Sequence, residues 1–253
     1  MKILHLTDIH ANIHQPEKFL IQFQRMTKAV AQLPADWQPE VLVLTGDFGY
    51  HGSKQEFQLA ERCIRMVFKE TSLSASLTIA CEGNHDAEYT GTNNSFIQYE
   101  QFLKRLKISR RSLSIEETSI FSINTCSQTT PEHCNHAVLT IDTFNMFPEN
   151  SILIMHHPPH LVLPSYAMKN LARNSRLILS GHIHPETPSV TLFENTLSLN
   201  GCAFTPAEPD SPWGCQIIRI SNYTLPSFIE IGSLLTSSEN PDFHFSAAIY
   251  PFS

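Results

Sequence analysis

The sequence predicts an α/β fold, and three observations carry that expectation. Short apolar runs alternate with longer amphipathic ones, as strands interleaved with helices do. Several short runs are apolar at nearly every position, the pattern of strands covered on both faces. Beyond residue 190 the spacing tightens, and TLFENTLSLNG and CQIIRIS read as antiparallel strands that complete a second sheet.

Taken in order, ILHLTD at 3–8 reads as a buried strand. From 16 to 33, Phe19, Leu20, Phe23, Met26, Val30 and Leu33 recur at helical spacing, which gives a helix with one core face. VLVLTGD at 41–47 is a second, almost continuously apolar strand. Ser53 and Glu56 form a capping-box signature ahead of Phe57, Ala60, Ile64, Val67 and Phe68, again at helical intervals. LTIACEGNHD (77–86), SILIMHHPP (151–159) and RLILSGHIH (176–184) repeat one form, a strand running into a polar loop. The tail from 233 to 253 has only weak periodicity. No repeat, low-complexity tract or clear linker divides the chain, so residues 1–253 are read as one domain, with the motifs inside 1–205 and further strands and a tail at 206–253.

Composition narrows the class. With 42% apolar and 16% charged residues and no apolar run near a bilayer span, a soluble globular protein without a membrane segment is expected. The start, MKILHLTD, is too short for the hydrophobic region of a signal peptide and lacks its cleavage site, so a cytoplasmic location is expected. Six cysteines are scattered without a close CxxC pair, and a domain of this size needs no disulfide staples, so reduced thiols are expected. The net charge of -7 repels nucleic acid and anionic lipid, and any phosphate binding must be local.

The loops at the carboxyl ends of α/β strands gather on one edge of the sheet, so the strand tails should meet. They are Asp8-Ile9-His10, Gly46-Asp47, Gly83-Asn84-His85-Asp86, His156-His157 and Gly181-His182-Ile183-His184. All offer oxygen or imidazole donors, which suit divalent Mn, Fe or Zn; a thiolate set would have pointed to structural zinc. In an extended segment residues i and i+2 project to one side, so Asp8 with His10, and His182 with His184, could each converge on one spot. Glycines before Asp47, Asn84 and His182 let the backbone turn sharply. A lone Asp-x-His is often an ordinary polar turn, and His156-His157-Pro158-Pro159 reads also as a stiff loop. Asn84-His85-Asp86 is more specific, because three polar residues straight after a buried strand are costly unless something engages them.

In this order the five tails resemble the calcineurin-like metallophosphoesterase superfamily, over about residues 1–205. The resemblance implies a four-layer αββα sandwich, two mixed sheets flanked by helices, with a dinuclear site for two divalent ions at the strand ends. Carried over by motif, Asp8, His10 and His184 hold one metal, Asn84, His156 and His182 the other, and Asp47 bridges both. His156 is preferred to His157 because the family's ligand is typically the first histidine after the apolar strand. The serine/threonine phosphatases of the superfamily continue the second motif as Gly-Asp-x-x-Asp-Arg-Gly, and its DNA-repair nucleases tend to place Asp three residues after the bridging one. Here the run is Gly46-Asp47-Phe48-Gly49-Tyr50-His51-Gly52, which departs from both. HLTDIH, GNHD and HHPP are closer to the bacterial phosphodiesterase branch, which includes cyclic-nucleotide and glycerophosphodiester hydrolases.

The expected function is therefore a metal-dependent phosphodiesterase acting on a small phosphodiester such as a cyclic nucleotide, by attack of a metal-bridging hydroxide. His85 is the expected catalytic residue, stabilising the transition state or protonating the leaving oxygen, with Asp86 either orienting it or lying at the surface. The alternatives are a phosphomonoesterase or nuclease with the same site, and a catalytically silent binding module on the same fold. A small phosphoester is the expected partner; nucleic acid is not favoured.

FLKRLKISRR at 102–111 could steer a polyanion, but reads better as the solvated face of a helix that packs Phe102, Leu103 and Leu106 inward. CSQTTPEHCNH at 126–136 fits no common zinc spacing and reads as a polar loop rather than a structural zinc site. His5, His14, His51, His160 and His244 lack motif context and read as surface or core-edge residues. Trp37 and Trp213 read as packing or substrate-rim aromatics.

Overall fold

In the computed structural model, which describes residues 1–89, 94–109, 111–127, 137–139, 147–148, 151–205, 211–220, 228–237 and 242–251, the strands alternate between two apolar destinations. The elements run β1 (Lys2–Leu6), α1 (Pro16–Ala31), β2 (Val41–Thr45), α2 (Lys54–Glu70), β3 (Thr78–Cys81), β4 (Glu88–Tyr89), β5 (Asn94–Ser95) and α3 (Ile97–Leu106). They continue with β6 (Ser112–Ile115), β7 (Thr118–Ser122), β8 (Ala137–Val138), β9 (Ser151–Ile154), β10 (Val162–Leu163), α4 (Ser165–Arg173) and β11 (Ser175–Ser180). β12 (Ser189–Phe193), β13 (Thr196–Asn200), β14 (Trp213–Ile220), β15 (Phe228–Thr236) and β16 (His244–Pro251) complete the chain.

Two six-stranded sheets form, in the orders β16-β15-β14-β1-β2-β3 and β12-β13-β11-β9-β7-β6. Both are mixed: β1, β2 and β3 are parallel while β14, β15 and β16 run antiparallel. In the other sheet β7, β9, β11 and β13 are parallel, and β6 and β12 are antiparallel edges.

The period of two along each strand sets the layers. On β1 and β2, Leu4, Leu6, Leu42 and Leu44 face Phe19, Phe23 and Met26 of α1, Phe57, Ile64 and Val67 of α2, and Phe102 of α3. The alternate residues Ile3, Val41 and Val43 meet Ile152, Ile154, Leu177 and Leu179 of the second sheet. The far face of that sheet, Leu153 and Ile178, is covered by Ala167, Met168 and Leu171 of α4. The result is the four-layer αββα sandwich. Each fully buried Leu, Ile or Phe in these layers contributes about 1.5–3 kcal/mol of apolar burial.

Local signals explain the helices. α2 opens on the capping box of Ser53 and Glu56, with Glu56 N–H donating to Ser53 Oγ at 3.3 Å and Ser53 N–H donating back to Glu56 Oε2 at 2.9 Å. α3 buries Tyr99, Phe102, Leu103 and Leu106 and leaves Lys104 and Arg105 on its outer face, where Arg105 pairs with Glu61 at 2.6 Å; Lys107 and Arg111 lie beyond the helix, and Arg110 is outside the described residues. Trp37 and Trp213 are core-edge packing residues: Trp37 stacks edge-on against Phe245 under Arg219, and Trp213 against Phe204 and Phe243.

Three expectations need correction. CQIIRIS belongs to β14, which returns to the first sheet beside β1; only β12 and β13 join the second. The weakly periodic tail carries β15 and β16. The edge strand β16 is exposed on both faces at Ser246, Ala247, Ala248 and Ile249, so burial imposes no alternation there. The strand tails also do not share one sheet: β1, β2 and β3 belong to the first, β9 and β11 to the second, and the site lies where the two carboxyl edges adjoin.

Candidate metal centre

Every strand that feeds the site stops before its donor residues. β1 ends at Leu6, β2 at Thr45, β3 at Cys81, β9 at Ile154 and β11 at Ser180. The loops remain in register with one another: Asp8 N–H donates to Gly46 O at 3.1 Å, His10 N–H to Asp47 O at 2.9 Å and Gly181 N–H to His156 O at 2.9 Å. Phe204 N–H donates to Thr7 O at 3.0 Å and Thr205 N–H to Asp8 O at 3.1 Å, which fixes the first loop to the segment after β13.

These turns bring two donor groups together, Asp8 with His10 and His184, and Asp47 with His156 and His182, the donor atoms of each lying within 4.8 Å of one another. In the first, Asp8 Oδ1 is 3.1 Å from His184 Nε2, and the two Nε2 atoms of His10 and His184 are 3.3 Å apart. In the second, Asn84 Oδ1 lies 2.9 Å from His156 Nε2 and 3.0 Å from His182 Nδ1, so the amide oxygen joins the set. Asp47 Oδ2 stands 3.2 Å from His156 Nε2 and 3.7 Å from His10 Nε2, between the groups.

The extended i, i+2 geometry is not how the pairs are made. Asp8, His10, Asp47, His182 and His184 all have positive φ, between 43° and 76°. His182 and His184 therefore diverge, one into each group. Left-handed backbone at five non-glycine residues is the kind of strain that concentrates at functional sites.

Two glycines are needed for space. A Cβ on Gly181 would press on Thr7 Oγ1 and come within 2.5 Å of Asp8 Oδ2; one on Gly83 would collide with the Asp47 carboxylate and amide. Neither has positive φ, so close approach rather than a sharp turn accounts for them.

The imidazoles are oriented from behind. His10 Nδ1–H donates to Gly49 O at 3.0 Å and His156 Nδ1–H to Thr45 O at 2.8 Å, which leaves Nε2 of each facing the site. Asp8 Oδ2 accepts from Thr7 Oγ1 at 2.6 Å and from His182 N–H at 3.1 Å. His157 turns aside: its Nδ1 is 2.9 Å from Thr125 Oγ1, outside both donor groups.

Electrostatics follow from burial. Burial disfavours the charge of Asp8, yet the hydrogen bond and charge of His184, with His156 behind it, hold its pKa down at about 2. Burial also opposes ionised Asp47, and His156, His10 and His85 hold it below the usual carboxylate range. Desolvation would lower His156, but Asp47 reverses that and raises it to about 9; Asp8 likewise raises His184 against burial. Burial lowers His10, and burial with the charge of His156 takes His182 down to about 4. No Lys or Arg occurs in the runs 3–17, 29–53, 70–103, 112–168 and 177–218, which contain every donor. Among the described residues the ion-pair partners of the two buried carboxylates are histidines, so protons or bound cations are left to neutralise them, and oxygen and nitrogen donors of this kind fit divalent ions.

The family model of the calcineurin-like phosphoesterases matches residues 1–186. The chain belongs to the calcineurin-like phosphoesterase family. Among solved structures, the chain is similar to the sulfate thiohydrolase SoxB of Thermus thermophilus, at 11% identity and a TM-score of 0.53, over 99% of this chain and 56% of that one. A predicted phosphoesterase of Streptococcus pneumoniae aligns over 99% and 97% of the two chains at 13% identity and a TM-score of 0.43. Vps29 of Entamoeba histolytica aligns over 100% of both at 13% identity and a TM-score of 0.45. Among curated proteins none matches significantly in sequence. The likeness to SoxB bears on the fold alone; the chemistry rests on the donors of this chain.

Several supporting residues carried no sequence signal of their role. Asp86 is neither at the surface nor against His85: buried, it accepts the amides of Asp47 at 2.9 Å, Phe48 at 2.7 Å and Gly83 at 2.8 Å, and so ties the second loop to the third. Glu56, readable only as a helix cap, also accepts the amides of Tyr50 at 3.1 Å and His51 at 3.2 Å. Tyr50 stacks on His10 with ring centroids 4.6 Å apart. His5 is fully buried rather than at an edge, and its Nε2 meets Thr45 Oγ1 at 2.8 Å. His14, His51, His160 and His244 are exposed, as expected. Most of CSQTTPEHCNH, including Cys134 and His136, lies outside the described residues. Among the described residues no helix is long and apolar enough to cross a membrane.

Proposed function

We propose that this chain hydrolyses a small phosphodiester, such as a cyclic nucleotide, with two divalent cations held by Asp8, His10 and His184 on one side and Asn84, His156 and His182 on the other. Asp47 is the shared ligand. The single observation that carries this reading is the place of Asp47 Oδ2 between His156 and His10, the position a bridging carboxylate must take. Mn, Fe and Zn all suit the donor set. When bound, such a pair supplies Lewis acidity to phosphoryl oxygens and acidifies water near neutral pH.

The chain's own residues supply the remainder. His85 is half-buried, its amide donates to Asp47 Oδ1 at 2.9 Å, and its ring lies edge-on to His10 at 5.2 Å. Its Nδ1–H donates to Tyr50 O at 2.8 Å, so Nε2 is the nitrogen left to stabilise the developing charge or to protonate the leaving oxygen. The absence of the Asp-Arg pair of the serine/threonine phosphatases supports a diesterase over a protein phosphatase. The described cysteines are free and buried, which supports a reducing, cytoplasmic setting.

The test is hydrolysis of bis-p-nitrophenyl phosphate against p-nitrophenyl phosphate by metal-stripped protein reloaded with Mn, Fe or Zn. Faster turnover of the diester is expected. Faster monoester hydrolysis would assign a phosphomonoesterase, and protein that binds both ions yet cleaves neither ester would be a binding module.

A further inference from the structure

We infer that the site selects a singly charged phosphodiester whose non-reacting substituent is aromatic or apolar; this rests on the phosphodiesterase reading above and narrows its substrate class.

The first observation is where the cations are not. The five runs without Lys or Arg hold every loop at the carboxyl edges of the strands that feed the site. Of the described cations outside these runs, Arg65 and Arg105 pair with Glu61, Lys169 and Arg173 with Glu194, and Lys2 with Glu40. Within these loops a second phosphate or a nucleic-acid backbone therefore finds no side chain of fixed positive charge to pair with. Against two divalent ions, Asp8 and Asp47 leave two positive charges. One diester anion and its anionic nucleophile use both, and a dianionic or polyphosphate substrate exceeds them.

The second observation is what stands at the rim instead. Tyr50 lies face to face with His10 and is still 37% exposed. Ile183, placed between His182 and His184, is 47% exposed, and Ile13, three residues after His10, is 39% exposed. Large apolar side chains left open beside a donor cluster are the usual lining of a small-molecule site, where they cover the apolar part of the ligand. An aryl group or nucleobase carried by the diester matches them.

Two pairs of substrates with a common p-nitrophenolate leaving group test this on the metal-loaded protein. Phenyl p-nitrophenyl phosphate should exceed methyl p-nitrophenyl phosphate about tenfold in kcat/KM, through KM, the effect of covering roughly half a ring. Thymidine 5′-(p-nitrophenyl phosphate) should lose about tenfold or more when a 3′-phosphate is added, with little relief as salt rises. The double variant Ile13→Ser, Ile183→Ser should bring the phenyl-to-methyl ratio close to one. Calorimetric titration with diphenyl and dimethyl phosphate reads the same preference without turnover, and the diphenyl ester should bind about tenfold tighter. Equal binding of the two, or a 3′-phosphate that improves turnover, would overturn the inference. If no ester is cleaved but diphenyl phosphate is still preferred, the selectivity stands and the hydrolase reading falls; turnover without selectivity gives the reverse.

Discussion

The carboxylate of Asp47 reaches His156 Nε2 at 3.2 Å, although one residue is delivered by the first sheet and the other by the second. Asp47→Asn keeps the volume and removes the charge that holds both donor groups to one centre. Metal content by mass spectrometry is expected to fall in both positions together, with affinity reduced about a hundredfold or more and activity in parallel. Full occupancy of the variant would remove Asp47 from its bridging place.

His85→Ala leaves the donor groups intact and is expected to keep its metals. Loss of a general acid or charge-stabilising imidazole costs about 10²–10⁴-fold in turnover. Steady-state kinetics alongside metal analysis separates the two effects, and an unimpaired kcat would end the assignment.

Gly181→Ala pushes a methyl group into Thr7 and Asp8. The strain is expected to cost about 1–3 kcal/mol of stability and to weaken the metal position that Asp8 serves before the other. Thermal melts of the stripped and reloaded protein report both quantities.

Asp86→Ala strands three buried amides, those of Asp47, Phe48 and Gly83. Each unsatisfied donor costs about 1–3 kcal/mol, so this exchange should destabilise the protein more than His85→Ala even though Asp86 is no metal donor. Urea unfolding of the two variants side by side is the measurement.

The metal-free protein should be most stable near about pH 6.5, with stability falling on both sides. His156 has a folded pKa raised to about 9, so its contribution is complete below its ordinary value of 6.5 and is lost as pH rises through 9. His5 and His182 are lowered to about 4, chiefly by burial, so the unfolded chain gains protons first as pH falls below 6.5 and stability drops toward pH 4. Asp8, held at about 2, gives a contribution that is whole above its ordinary 3.8 and disappears as pH falls through 2. Metal loading should flatten the alkaline limb, because His156 must already be deprotonated to bind. A melting series across pH, with and without Mn, checks both limbs.

Much of the architecture was legible because the core strands are apolar on both faces and short. VLVLT, SILI and the LILS of β11 admit few other readings, and the caps of α2 are local. β6 and β7 carry little signal, because neither contains a continuous apolar run. The sheet that β14 joins is not legible, because a strand's own sequence does not say which neighbour it pairs with; Ile217 and Ile218 serve one apolar layer each. At the site, the donor types and their order were visible along the chain. Their bracing was not: Asp86 acts on amides 38 and 39 residues away in sequence, and the left-handed backbone at His182 and His184 has no signature in residue type.

Each donor group takes residues from both sheets, His184 beside Asp8 and His156 with His182 beside Asp47. A cation seated in either is a rivet through the middle of the sandwich, and pulling it leaves two slabs joined by apolar contact and a few loop hydrogen bonds. Starving the protein of metal should then do more than silence it. The slabs should begin to slide, and a chelator should open the seam to proteases and to hydrogen exchange well below the melting temperature.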